Sequence, residues 1–474
     1  MRAVKSQTLY WMGITFVLFP VLILLGIYMR TVQSGALQEL QGWFYPMMTL
    51  HGVGMAGLWY VTAMACTAHM LTRYVQPSPA VGRIAIYGTV LGVLLLLACV
   101  LFGRFAAGWY FLYPLPFKGE WPLWSAVVFL LCLTVLGVTW LIWTLDLMRA
   151  IATKYTLAQA LGWHYLAGRR EPKLPPAILI ATVGLIASVA TMLAGVIVLA
   201  FFYLELFTGA PTDALLMKNL IFFFGHTLVH LAMYLGVALV YDALPDYAGR
   251  PWKTTNVVVI AWNTVLLIVL VAYFHHLYMD FVQPGALQVI GQVASYASAI
   301  PSAVVTIFGA LLLVYRARMR WNLTSLLFML GLMGWAIGGM GAVIDSTITL
   351  NLHLHNTLWV PAHFHTYMVA GLVFLVVGYY YHVCQELAAA PQSTGYHKLL
   401  AALMVIGAYG FFLMFYLSGA YSVPRRYAIY PAEVAQGSTL AGIGAVFASL
   451  FLLGFLLYIV EIGRSWVRAL RAPA

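Results

Sequence analysis

Thirteen histidines stand in a 474-residue chain that has only thirteen Asp and Glu residues. Imidazole is a common metal ligand, and an ionisable side chain inside an apolar segment is costly unless it has a partner or a function. Six of the histidines form a pattern. His51 and His226 lie near the start of two apolar runs, and His363 and His365 near the start of a third. His275 and His276 are adjacent at the end of a fourth. On a helix, residues two apart point about 200° apart. His363 and His365 therefore face opposite sides, and one helix can serve two cofactors. Adjacent residues differ by about 100°, so His275 and His276 can reach one metal, with His226 completing a three-nitrogen set. His51 can pair with His365 across a haem iron. His363 is then the sole protein ligand of a second haem, whose open iron position faces the three-histidine metal. Imidazole suits copper, iron and zinc alike, so ligand type leaves the metal open.

These residues must be positioned by apolar runs of about 20 residues, the length that crosses a bilayer as a helix. Twelve runs have cores near 9–29, 47–71, 84–102, 123–147, 178–207, 220–244, 257–279, 287–313, 323–344, 358–383, 399–417 and 440–460. The composition agrees. The chain is 63% hydrophobic and 8% charged, against about 25% charged in soluble domains. No every-second-residue alternation argues for a membrane β-barrel. The expected fold is an all-α membrane protein of twelve transmembrane helices, a single catalytic domain over residues 1–474. The longest connection, roughly 148–176, is too short for a further domain. The first run is too long for a signal-peptide core and is expected to be retained.

The net charge is +11, but the basic residues sit between the apolar runs and line no groove, which excludes nucleic-acid binding. With the N-terminus cytoplasmic, 18 of the 24 basic residues fall inside. This is the asymmetry expected of a plasma-membrane protein with both termini cytoplasmic. In that frame the six histidines share one depth, within about 10 Å of the outer ends. His69, His164, His382 and His397 fall near cytoplasmic ends and read as surface or interface residues, while His353 and His355 fall in an outer loop. Cys66, Cys99, Cys132 and Cys384 are scattered. No CxxC or CxxCH occurs, so there is neither a disulfide framework nor a covalent c-type haem signature.

Several segments resemble the haem–copper oxidase superfamily. Gly225-His226-Thr227-Leu228-Val229-His230 resembles its GHPxVY motif, and His275-His276 its His–His pair. The segment from His355 to His365 resembles HNTxWVPxHFH of B-type oxidases, and Pro424-Arg425-Arg426-Tyr427 the PRRY segment. The resemblance covers nearly the whole chain and implies the architecture of the catalytic subunit I. It implies that His51 and His365 ligate a low-spin haem and that His363 ligates a high-spin haem. His226, His275 and His276 would hold a non-haem metal, iron or copper. Arg425 and Arg426 would pair with haem propionates, and His355 would belong to the region above them.

The pattern breaks at one place. Oxygen reductases of this kind carry a tyrosine four residues after the first metal ligand, or six before the His–His pair. Here those positions are His230 and Val269. The resemblance makes that tyrosine an electron and proton donor for splitting O2. Coupling two NO molecules to N2O needs only two electrons and two protons. The expectation is therefore a nitric oxide reductase derived from an oxidase-like ancestor. The alternative is an oxygen reductase with a displaced tyrosine such as Tyr234, Tyr273 or Tyr278. His230, at i+4 from His226, shares its face and is a candidate fourth metal ligand.

Leu228 occupies the position of a proton-relay glutamate, which leaves a cytoplasmic route through Tyr241, Ser302 and Thr306. Glu205, Asp213, Asp280 and Asp345 lie near outer ends and could feed protons from that side. Without a copper-binding cysteine pair or a c-type haem motif, electrons must come from a membrane-anchored subunit carrying copper or haem c, served by cytochrome c, or from a quinol. A twelve-span transporter is the reading from another class. It predicts inverted repeats and a midplane site, and the histidines lie toward one face.

Overall fold

The computed structural model describes residues 2–40, 42–387 and 394–471. It is all-helical, with no strand among the described residues and one isolated bridge, Thr357 to Pro424. The long helices, in chain order, are α1 (Arg2–Gln33), α2 (Phe44–Leu71), α3 (Pro79–Leu101), α4 (Leu123–Ala152), α5 (Pro176–Thr208) and α6 (Ala214–Ala248). Next comes α7 (Asn256–Ala272), which tightens into a 3₁₀ turn over Tyr273–Leu277. α8 starts at Gly285–Ala303, widens into a π turn at Val304–Phe308 and ends with Gly309–Val314. α9 is Leu323–Asp345. α10 begins as Trp359–His365, passes through a π segment at Thr366–Val373 and continues as Phe374–Leu387. α11 (Gly395–Ala420) and α12 (Gln436–Arg471) complete the chain.

Among the described residues, eleven helices are long and apolar enough to cross a membrane. The remaining expected span forms as α2, a 28-residue helix. Its Gly, Thr and His residues dilute its hydropathy, and its C-terminal half is buried, so protein rather than lipid covers it. The other spans match their expected cores to within two residues, and most extend beyond them at one or both ends. Short helices absent from the sequence reading occur at Leu157–Ala160, Trp163–Leu166 and Ile348–Leu354.

Short connections make neighbours in sequence neighbours in space. α1 packs on α2, α3 on α4, α5 on α6, α7 on α8, α9 on α10 and α11 on α12, while α1 also meets α12. In the most apolar windows of α6 and α10, 72% of residues are buried, against 28% in α1 and α12. The two helices that carry His226, His230, His363 and His365 are thus the enclosed ones. One expectation of depth is corrected. His226 stands twelve residues into α6, about 18 Å along its axis, because α6 projects beyond its predicted outer end. His51 is seven residues into α2 and His363 four into α10.

Candidate metal centre

His51 on α2 and His365 on α10 face each other with ring centres 6.5 Å apart and planes 21° from parallel. The Nδ1 atom of each is committed to a backbone carbonyl. His51 Nδ1 lies 2.7 Å from Leu22 O, and His365 Nδ1 lies 2.7 Å from Pro361 O. A donor hydrogen bond at one ring nitrogen fixes the tautomer and frees the other nitrogen for metal. Two imidazoles bound to one iron at about 2 Å each have ring centres a little over 6 Å apart, so the observed spacing fits a haem iron between them. Gly26 lets α1 pass close to this pair, since a Cβ there would sit 3.1 Å from His51 Cε1. His365 packs on Phe411 and Phe415. Arg30 of α1 stacks on Phe415 at 4.8 Å.

Sequence reasoning left Arg30 as an outer-end basic residue. It is only 4% exposed. Nη1 donates to Gln33 and Tyr430, while Nε and Nη2 have no partner. Such unpaired buried donors are expensive. They fit an anionic or carbonyl group of a haem beside His365. The signal that could have found Arg30 was a lone arginine within a turn of an otherwise apolar span's end.

On the opposite side of α10, His226, His275 and His276 bring one nitrogen each within 4.8 Å of one another. The 3₁₀ turn at the end of α7 carries the two adjacent histidines to α6. His275 Nδ1 is held 2.8 Å from Ser295 Oγ of α8. His226 Nδ1 is buried without a hydrogen-bond partner, as suits an atom meant for a metal. His276 stacks on Phe222. His363, also on α10, points here and not toward His51. Its Nε2 lies 3.2 Å from an Asp345 oxygen but has no aligned hydrogen-bond partner. Gly341 of α9 makes room for it, because a Cβ there would be 2.9 Å from His363 Cβ.

His230 has its ring centre 4.4 Å from that of His226, but the mutually close trio comprises His226, His275 and His276. The Nδ1 atom of His230 lies 3.1 Å from the Tyr367 hydroxyl of α10. Tyr367 was missed in the sequence. Its signal was available, since it is four residues after His363 and so shares that helix face. Of the tyrosines named as substitutes, Tyr273 donates to Asn219 and Tyr278 to Ser346 O, both away from the trio. Tyr234 has its ring centre 6.0 Å from that of His230.

Above the site, the bridge between Thr357 and Pro424 straps the loop after α11 onto the segment before α10. Arg425 donates Nε and Nη2 to Asn356 Oδ1 at 3.2 and 2.7 Å, and Arg426 stacks on Tyr110 at 3.8 Å. Burial, and then the adjacent Arg426, push the Arg425 guanidinium down to about 9. Burial and Arg425 likewise push the His355 imidazole down. A propionate carboxylate would restore the guanidinium toward its ordinary range, because an opposite charge favours the charged form. His275, His276, Asp345, Asn351, His355 and Arg425 share one polar cleft.

Below the site, Tyr241 and Thr306 come together, hydroxyl to hydroxyl at 3.1 Å. On α8, Ser302 donates to Ser298 O and Ser298 to Ser295 O, so these buried hydroxyls follow one face up to His275. Ser295 and Ser298 were not anticipated. Of the four histidines read as surface or interface, His164 bonds to Pro172 O within its own connecting segment, and the other three lie at helix interfaces. His69 lies against Tyr379 and Glu386, His382 against Tyr247 and Arg73, and His397 against Glu461.

An all-α membrane fold that gathers six histidines in this way defines a class of multi-pass redox proteins. The model of the cytochrome c and quinol oxidase polypeptide I family matches residues 7–458. Cytochrome c oxidase subunit 1 of Thermus thermophilus is 26% identical over 439 residues, covering 85% of this chain and 72% of the relative. The polypeptide of the same kind from Halobacterium salinarum is 28% identical over 271 residues, covering 55% of this chain and 43% of that protein. A solved heme–copper terminal oxidase dimer shares the fold with a TM-score of 0.77 at 21% identity, covering 99% of this chain and 84% of that one. The chain belongs to the cytochrome c and quinol oxidase polypeptide I family.

Proposed function

We propose that this protein is the catalytic subunit of a membrane terminal reductase that reduces O2 to water. The observation that carries the reading is the pair of histidine sets on opposite faces of α10. His51 and His365 would hold a low-spin haem. His363 would hold a high-spin haem, and His226, His275 and His276 a non-haem metal, copper in this reading. These groups, when bound, supply stored electrons and the open metal positions at which a diatomic gas is reduced. The names of the relatives, cytochrome c oxidases, support O2 over the NO expected from the sequence.

The chain's own side chains do the rest. Leu22 O and Pro361 O hold the His51 and His365 imidazoles in one orientation. Ser295 holds His275, and Arg30, Arg425 and Arg426 would anchor anionic haem substituents. Tyr241, Thr306, Ser302, Ser298 and Ser295 would pass protons from the cytoplasmic side, with ordered water filling the gaps. We place α2 as the twelfth span, both termini in the cytoplasm of a prokaryotic cell, and the whole chain as one catalytic domain. Electrons would arrive at the outer face from a membrane-anchored partner carrying copper or haem c, fed by cytochrome c, or from a quinol.

A second reading, reduction of NO to N2O, is favoured by two observations. His230 lies beside His226, and Val269 is fully buried at the other position where a phenol would stand. The test is metal analysis of the purified complex with gas-uptake assays. Two haem irons, one copper and O2 consumption are expected. Two haem irons, one non-haem iron, N2O production and no O2 consumption would overturn the first reading in favour of the second.

A further inference from the structure

We infer that Tyr367 is the redox-active phenol of this site, donating an electron and a proton through its hydrogen bond to His230. The inference rests on the dioxygen reading above. It starts from general chemistry: a phenol hydrogen-bonded to an imidazole can lose an electron at moderate potential, because the proton has somewhere to go.

Four features of the structure select Tyr367. Its hydroxyl is 3.1 Å from His230 Nδ1, and the ring centres are 5.4 Å apart. His230 in turn lies 4.4 Å, ring to ring, from His226 of the trio. A phenol is thus joined to the candidate metal site by one imidazole. Secondly, Tyr367 is 6% exposed, so a radical formed there is shielded from solvent and stray reductants. Thirdly, it sits in the first turn of the π segment Thr366–Val373, the kind of wide turn often kept in helices at functional sites. Fourthly, its backbone is clamped. A Cβ at Gly338 of α9 would stand 2.5 Å from Tyr367 N, so α9 closes on α10 there and leaves the ring little freedom to leave His230. Tyr234 of α6 stands farther from His230, with ring centres 6.0 Å apart against 5.4 Å for Tyr367. Tyr273 and Tyr278 direct their hydroxyls to Asn219 and Ser346.

The step balances as follows. Splitting the O–O bond to the level of water takes four electrons. The O–H bond of Tyr367 breaks, its proton passes to His230 Nδ1, and its electron goes to the dioxygen being reduced, leaving a neutral phenoxyl. The other electrons would come from the metal groups that His363 and the His226, His275 and His276 trio would hold when loaded. The external donor later returns one electron to the ring, and His230 returns the proton. The phenol therefore comes from α10, opposite the helix on which position 230 would have carried it.

The experiment treats the oxidised, fully loaded complex with hydrogen peroxide, whose O–O bond needs two electrons, and freezes it for electron paramagnetic resonance. A phenoxyl signal that narrows when the protein contains ring-deuterated tyrosine is expected. It should persist in Tyr234→Phe and vanish in Tyr367→Phe, with haem bands and non-haem metal content unchanged in both. In His230→Gln, which keeps Tyr367 in place, the phenoxyl g-values should shift as its hydrogen bond changes. An unaltered signal in Tyr367→Phe, unshifted g-values in the His230 variant, or no phenoxyl in the wild-type complex would each overturn the inference. Wild-type complex that turns over NO but consumes no O2 would instead mark failure of the dioxygen reading itself.

Discussion

At the scale of single residues, the facing imidazoles of α2 and α10 are each specified by what the other ring nitrogen touches. His51 and His365 surrender Nδ1 to Leu22 O and Pro361 O, which aims both Nε2 atoms into the 6.5 Å gap between the rings. His51→Ala or His365→Ala should therefore remove the low-spin haem and leave the high-spin haem and the non-haem metal. His226→Ala should do the reverse, removing only the non-haem metal. Haem extraction spectra with metal analysis separate the two outcomes, and loss of both haems from His226→Ala would contradict the division of labour. Arg425 makes a related case. Its guanidinium, pushed down to about 9 by burial and Arg426, is raised again only by a nearby anion. Arg425→Gln should weaken haem retention by about 1.5–3 kcal/mol, the usual worth of a hydrogen bond to a charged group, measured as faster haem loss to an external acceptor. The six histidines were legible because few residue types tolerate burial in lipid and their spacing fixes their faces. Arg30 was not, since an arginine at a span end ordinarily reaches for water. Only the packing of Phe415 and Tyr430 shows that this one turns inward.

At the scale of elements, glycines set the approach of the helices that carry the site. Gly341 lies where a Cβ would be 2.9 Å from His363 Cβ and 2.5 Å from the Tyr416 hydroxyl. His363 Cβ is tied directly to the α10 backbone and cannot swing aside as a flexible side-chain end could, so Gly341→Ala should displace His363 and cost about 1–3 kcal/mol, as overpacking does. The expected readout is an altered high-spin haem absorption with the low-spin bands intact. Unaltered high-spin bands would show that α9 can move away freely. The helices themselves were readable from run length, but their irregular turns were not. Hydropathy has no signature for the 3₁₀ end of α7, which brings His275 and His276 to α6, or for the π segment of α10 around Tyr367. Both depend on which neighbours press on the helix. The strap from Thr357 to Pro424 was equally hidden, because it joins segments more than sixty residues apart.

At the scale of the whole molecule, the sequence yields orientation through charge and the structure yields enclosure through burial, and the two must agree on which face is outer. The histidine sets lie toward the end bearing the Arg425 loop, while the hydroxyls leading to Ser295 start at Tyr241 near the other end. If the basic loops are cytoplasmic, protons enter from the cytoplasm and electrons reach the haems from outside, so turnover separates charge across the membrane. Cysteine labelling of intact cells decides this. All four native cysteines are buried, so background is low for a membrane-impermeant maleimide. Lys118→Cys and Glu433→Cys occupy exposed positions at the end near the Arg425 loop, whereas Lys173→Cys and Arg318→Cys are exposed at the opposite end. The first two should label in intact cells and the second two only after lysis. The reverse pattern would place Tyr241 and the hydroxyl run on the outer side. Protons would then enter from outside and electrons at the cytoplasmic face, and turnover would separate charge with the opposite sign.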